Sequence, residues 1–243
     1  MIFKAQKGQV SAGEAVGILL LDTCVPFIPG DVANATTYAY PVRFKKVEGF
    51  TVARAIGKDP SVYDDLERAA KDLVSQGVKA VTGDCGFMGI HQQRLAHDLG
   101  VPVFLSSLTQ IPFITHIIGP LKKVGVISAS GQSLDASLLA AVGITDTSRV
   151  VIAGLENRKH FHSFAIEETG YLDSDAVEKE VVETAVDLVG NNKGIGALLL
   201  ECSLLPPYAK AIQEVTELPV FDYITMIDYV YSALVKRRYG GYL

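Results

Sequence analysis

Three features of the sequence predict an α/β fold of two similar lobes: an internal repeat, alternation of strand and helix patterns, and short continuous apolar runs at strand positions. Residues 77–104 read GVKAVTGDCGFMGIHQQRLAHDLGVPVF, and residues 194–221 read GIGALLLECSLLPPYAKAIQEVTELPVF. At a constant offset of 117 residues, Gly, Ala, Cys, Pro, Val and Phe recur at 77/194, 80/197, 85/202, 102/219, 103/220 and 104/221, and Asp84 is answered by Glu201. An ungapped register that carries a cysteine points to a duplication. The competing reading is two ordinary strand–helix–strand units that share a pattern. Alternating strands and helices demand mostly parallel sheets flanked by helices. The repeat relates the two lobes by a pseudo-twofold axis and puts the active site in the cleft between them. The first lobe is expected over 1–115 plus 223–243, the second over 116–222.

In chain order, 16–21 (VGILLL) reads as a strand buried on both faces, ending in Asp22-Thr23-Cys24. Residues 30–43 have no clear period; they form either an active-site loop or an irregular surface loop. A second strand is expected at 47–53. Asp59-Pro60 opens a helix whose apolar face is Val62, Leu66, Ala69, Ala70, Leu73 and Val74, closed by Gly77. A strand at 78–82, a loop at 83–88, a helix at 89–98 and a strand at 101–105 follow. Residues 106–118 read as an apolar helix interrupted or started near Pro112.

The second half restarts with a strand at 123–127, resembling the first, then a helix at 133–142 and a strand at 149–153. Residues 154–173 are polar and unsettled. A helix at 173–189, a strand at 197–200, a helix from Pro206 to 216, a strand at 218–221 and a helix at 223–236 complete the chain. Ligands of such sheets bind beyond the carboxyl ends of strands. Asp22-Thr23, Asp84-Cys85, residues 128–131 and Glu201-Cys202 all sit at such ends.

Of 243 residues, 49% are hydrophobic and 20% charged, which excludes a disordered chain. A net charge of −5 without basic runs gives no footprint for nucleic acid. The first long apolar run, 16–21, falls far short of the ~20 residues of a membrane span, and the N-terminal residues lack the pattern of a signal peptide. Three cysteines, an odd number, argue for a reducing compartment over a disulfide framework. The protein is therefore expected in the cytoplasm, with no membrane or nucleic-acid partner.

A thiol at a strand end, just before a helix, meets backbone N–H groups and the positive end of the helix dipole, which favour thiolate. Asp84 and Glu201 oppose this if they point into the cleft and are neutral bystanders if they face away. Two thiols related by a pseudo-twofold axis suit proton removal on one face of a carbon and delivery on the other. The alternative for Cys85 and Cys202 is that they are small buried hydrophobes. Cys24 has no counterpart in the repeat and either packs or lines the pocket. No GxGxxG follows the first strand and no GxxxxGK[ST] occurs. His160 and His162 lack further spaced ligands, so no metal is expected. His91, His97 and His116 read as surface or partly packed.

The segment VGILLLDT at 16–23, Gly83-Asp84-Cys85, VGVISAS at 124–130 and Glu201-Cys202-Ser203 with Pro206 resemble the aspartate/glutamate/hydantoin racemase superfamily over nearly the whole chain. The resemblance implies cofactor-independent racemisation, epimerisation or a related carbanion reaction, and homodimers or higher homo-oligomers. Glutamate racemases carry Cys-Asn-Thr and Cys-Thr-His; here Cys85-Gly86-Phe87 and Cys202-Ser203-Leu204 stand instead, while Asp22-Thr23 matches their Asp-Ser. The chain is therefore read as a divergent member. The expected function is racemisation or epimerisation of a small carboxylate, an amino acid or derivative. Cys85 and Cys202 are the acid/base pair. Asp22 and Thr23 orient a thiol or the substrate; Gly86, Ser128, Ser130 and Ser203 bind its carboxylate. No cofactor is expected. The alternatives are arylmalonate decarboxylase-like or maleate isomerase-like chemistry on the same fold, and a non-catalytic two-lobed binder.

Overall fold

The structure, a computed structural model, describes residues 2, 4, 5 and 7–242. Met1, Phe3, Gln6 and Leu243, which the leader reading and the expected lobe limits take in, lie outside the described residues. Two four-stranded parallel sheets form the frame. The first has the order β2-β1-β3-β4, with β1 Val16–Leu20, β2 Val42–Lys46, β3 Ala80–Gly83 and β4 Val103–Phe104. The second repeats it as β6-β5-β7-β8, with β5 Lys123–Ser128, β6 Val150–Gly154, β7 Ile195–Leu200 and β8 Val220–Phe221. The expected fold of two similar parallel α/β lobes is the observed one.

The equivalence extends to packing. Gly17 in β1 and Gly125 in β5 hold matching places. A Cβ on Gly17 would lie 3.0 Å from Leu73 Cδ1, and one on Gly125 would lie 3.1 Å from Leu188 Cδ2. Each glycine thus lets the long helix of its lobe, Tyr63–Ser75 or Ser174–Asn191, sit close on the sheet. The apolar face of the first helix, including Leu66, Ala70 and Leu73, is buried as its spacing predicts. Each such leucine contributes roughly 1.5–3 kcal/mol by burial. The helix Tyr223–Leu234 opens with a capping box between Asp222 and Thr225 and buries Tyr223, Met226 and Ile227 against Val16, Ile18 and Ala80 of the first sheet.

The second strand is displaced from its expected place. Residues 42–46 form β2, and Val52–Ile56 is a short helix capped by Thr51. β2 reads VRFKK, an edge strand with its charges half in water, so it lacks the apolar run that marks its neighbours. Residues 154–173 contain a single helical turn and then a π-helical turn, His162–Ile166.

The strand ends set the site. β3 pairs with β1 so that Leu19 faces Gly83, and the Asp84 N–H donates to Leu19 O at 3.0 Å. In the second sheet Ile127 faces Leu200, and the Glu201 N–H donates to Ile127 O at 2.8 Å. Both Asp-Cys and Glu-Cys pairs therefore leave equivalent strands at equivalent points. Reciprocal bonds hold these ends together: Ser107 Oγ donates to Leu200 O at 3.0 Å, and Ser203 Oγ donates to Asp84 O. No described helix is long and apolar enough to cross a membrane.

Candidate active site

Between the two sheets lies a cavity of about 50 Å³ lined from both lobes. Cys85, Gly86 and Asp84 contribute from the end of β3; Cys202, Ser203 and Glu201 contribute from the end of β7. The remaining wall is largely apolar and includes Val25, Phe27, Val52, Phe87 and Ile166. No Lys, Arg or His is among the described residues that line it.

Both thiols are free; Cys85 is half-buried and Cys202 is 8% exposed. The expected lowering of the thiol pKa does not occur. Burial pushes both thiols up, and the neighbouring Glu201 carboxylate pushes in the same direction. The backbone N–H groups of Phe87 and Met88 at Cys85, and of Leu204 at Cys202, oppose this without overcoming it. Cys85 is followed first by a 3-10 helix, Gly86–His91, and the α-helix Gln92–Asp98 begins only two turns further on, so little helix dipole reaches the thiol.

The two carboxyl-bearing residues beside the thiols both line the cavity. Asp84 accepts the Leu21 N–H on both oxygens, at 3.0 and 3.2 Å, and burial raises it to about 8. Glu201 accepts the Ser128 hydroxyl on Oε2 at 2.9 Å, and burial raises it to about 7. Asp31, outside the lining, is also buried and raised to about 7.

Of the sequence-predicted site residues, Thr23, Cys85, Gly86, Cys202 and Ser203 meet at the cavity. Asp22 does not: its carboxylate turns outward to the Gly49 N–H at 3.0 Å and to Lys46 at 3.2 Å, drawn there by the basic edge strand. Ser128 sits behind Glu201, and Ser130 bonds Ser133 Oγ at 3.0 Å; neither lines the cavity. The loop 30–43 contributes no lining residue; the wall there comes from Thr23, Val25 and Phe27 just before it. His97 and His116 are exposed, whereas His91 is buried beside Phe50 and Tyr63.

Sequence reading missed Ala165, Ile166 and Glu168. The first two line the cavity from the π-helical turn. Glu168 Oε1 accepts the Thr23 hydroxyl and the Cys24 N–H, the latter at 3.0 Å, tying the second lobe to the loop after β1. Its backbone is left-handed, φ 53°, unusual outside glycine. The only available signal was the lack of period in a long connection, a mark of functional loops.

Comparison with known proteins identifies relatives and fold neighbours. No family model matches the sequence. The chain is 32% identical over 239 residues to dimethylsulfoniopropionate lyase 3 of Emiliania huxleyi, covering 93% of this chain and 61% of that protein. It is 30% identical over 239 residues to dimethylsulfoniopropionate lyase 7 of the same organism, covering 93% and 69%. To the dimethylsulfoniopropionate lyase of Durusdinium sp. clade D it is 29% identical over 234 residues, covering 93% and 77%. The chain thus spans about three fifths of the length of the first of these relatives.

Among solved structures, a variant of arylmalonate decarboxylase superposes with a TM-score of 0.58 at 16% identity, covering 93% of this chain and 96% of that one. Allantoin racemase from Pseudomonas fluorescens gives a TM-score of 0.58 at 18% identity, covering 91% of each chain. The fold is that of the aspartate/glutamate racemase superfamily, as the sequence motifs imply. The function expected from that resemblance is corrected. The sequence relatives are dimethylsulfoniopropionate lyases, which overturns the racemase or epimerase reading together with its arylmalonate decarboxylase-like, maleate isomerase-like and non-catalytic alternatives.

Proposed function

Because the chain belongs to the dimethylsulfoniopropionate lyase family, we propose that it is itself a lyase that splits dimethylsulfoniopropionate into dimethyl sulfide and acrylate. The observation that carries the reading is the composition of the cavity wall: two thiols and two carboxyls beside apolar and aromatic groups, with no basic side chain among the described lining residues. A sulfonium cation finds the carboxyls of Asp84 and Glu201, whose ionisation its charge would favour, and the rings of Phe27 and Phe87.

In the elimination, a base takes one hydrogen as a proton from the carbon next to the substrate carboxylate. The C–H electron pair becomes the new C=C bond. The C–S bond breaks with its pair going to sulfur, so the sulfonium leaves as neutral dimethyl sulfide. Acrylate and a protonated base remain. A single base suffices, in contrast to inversion at carbon. We assign that base to one of Cys85 and Cys202.

The raised thiol pKa suits this step. The proton beside a carboxylate is weakly acidic, so a strongly basic thiolate is needed even if it is scarce before substrate binds. The carboxyls that, once ionised, help hold the thiol protonated are the groups an incoming sulfonium would pair with. Substrate binding would therefore ease thiol ionisation at the moment it is required. The test is to incubate the purified protein with dimethylsulfoniopropionate and quantify both products. Equimolar dimethyl sulfide and acrylate are expected; recovery of intact substrate rules the reading out.

A further inference from the structure

The cavity contains one strong polar atom without a partner. Glu201 is 0% exposed, and while its Oε2 is held by Ser128, its Oε1 has no hydrogen-bond partner among the described residues. The same oxygen stands against Gly86, whose added Cβ would come within 1.7 Å of it. Both residues line the cavity. A buried carboxylate oxygen left unpaired is costly, and in native proteins it normally has a partner. No basic side chain of the described wall can be that partner.

Resting on the lyase reading, we propose that Glu201 is the specificity-determining residue for a cationic head group, its carboxylate facing the onium centre and selecting an onium carboxylate over a neutral molecule of the same shape. A sulfonium or quaternary ammonium has no hydrogen to donate, so the attraction is coulombic and depends on water being excluded. The surroundings meet that condition. Ser128 fixes the orientation of the carboxyl from behind, where it is itself fully buried. Gly86 gives the free oxygen its room. Any larger residue after Cys85 would push Oε1 away from its place, which accounts for a glycine where glutamate racemases carry a polar side chain.

The test compares two ligands of one shape that differ by a positive charge: β-alanine betaine, a quaternary ammonium carboxylate, and 4,4-dimethylpentanoate. Titration calorimetry on the whole chain at pH 8, above the raised value of Glu201, is expected to show the betaine binding at least about tenfold more tightly to the wild type. Glu201→Gln keeps size and the Ser128 bond. It is expected to bring the ratio within about twofold by weakening the betaine and leaving the isostere unchanged. A wild type that binds both equally, or binds neither, overturns the proposal. So does a variant that weakens both ligands alike, since that marks a merely structural role. Ser128→Ala, which leaves the charge but frees Oε2, is the second readout if Glu201→Gln does not fold: the ratio should fall, and an unchanged ratio counts against the proposal. Neither ligand needs to be cleaved. A wild type that discriminates between them yet releases no dimethyl sulfide therefore removes the reaction and leaves the cation site standing.

Discussion

The Cβ that Gly86 lacks would stand 1.7 Å from Oε1 of Glu201. The residue after the first thiol and the residue before the second are thus fitted to each other across the gap between the lobes. Gly86→Ala forces one of them to move. The expected outcome is a loss of about 1–3 kcal/mol in stability from overpacking, read from urea unfolding. Dimethyl sulfide release should fall about tenfold or more in kcat/KM. An alanine variant with wild-type kinetics would show that the position of the Glu201 carboxyl does not matter.

Thr23 and Glu168 join the lobes at the cavity edge, where the Thr23 hydroxyl donates to Glu168 Oε1. Thr23→Val keeps the shape and removes the donor. Because the contact holds the wall and not the reacting atoms, KM for dimethylsulfoniopropionate should rise up to about tenfold while kcat changes less. A change confined to kcat would place Thr23 in the chemical step instead.

Stability should fall with rising pH in a defined window. Glu201, Asp31 and Asp84 are raised by burial to about 7, 7 and 8. The folded protein therefore keeps protons that the unfolded chain releases near pH 4, and their contribution is lost as pH climbs through the raised values. His91 is lowered by burial to about 4 and works in the opposite direction, but its share fades above about 6.5, where the unfolded imidazole gives up its proton. Between pH 6.5 and 8 the three acids outweigh His91, each contributing a slope of at most about 1.4 kcal/mol per pH unit. Urea midpoints measured across that range should decline, and Asp31→Asn should flatten the decline. A rising midpoint contradicts the assigned shifts.

The parts of the fold that could be read from sequence were those where one physical signal dominated. β1, β3, β5 and β7 are apolar runs buried on both faces, and the repeat placed Cys85 and Cys202 at matching strand ends. β2 escaped because an edge strand with alternating charge has no such run. The direction of Asp22 depended on Lys46 and Gly49, which only the folded edge brings beside it. Ala165, Ile166 and Glu168 lie on a turn whose period matches neither helix nor strand. The reaction was misread for a different reason. A fold hosts many chemistries, and paired thiols at matching strand ends fit several of them, so the motifs alone did not select the lyase relatives over racemases.

The central claim is that a thiol in the interlobe cavity takes the proton during elimination. Dimethyl sulfide release by Cys85→Ser and Cys202→Ser, each checked for an intact melting transition, tests it most directly. One variant should lose about 10²–10⁴-fold in kcat, the range of a general base, and the other should lose less, because elimination needs a single base. If both folded variants retain wild-type kcat, neither thiol is the base and the assignment is wrong.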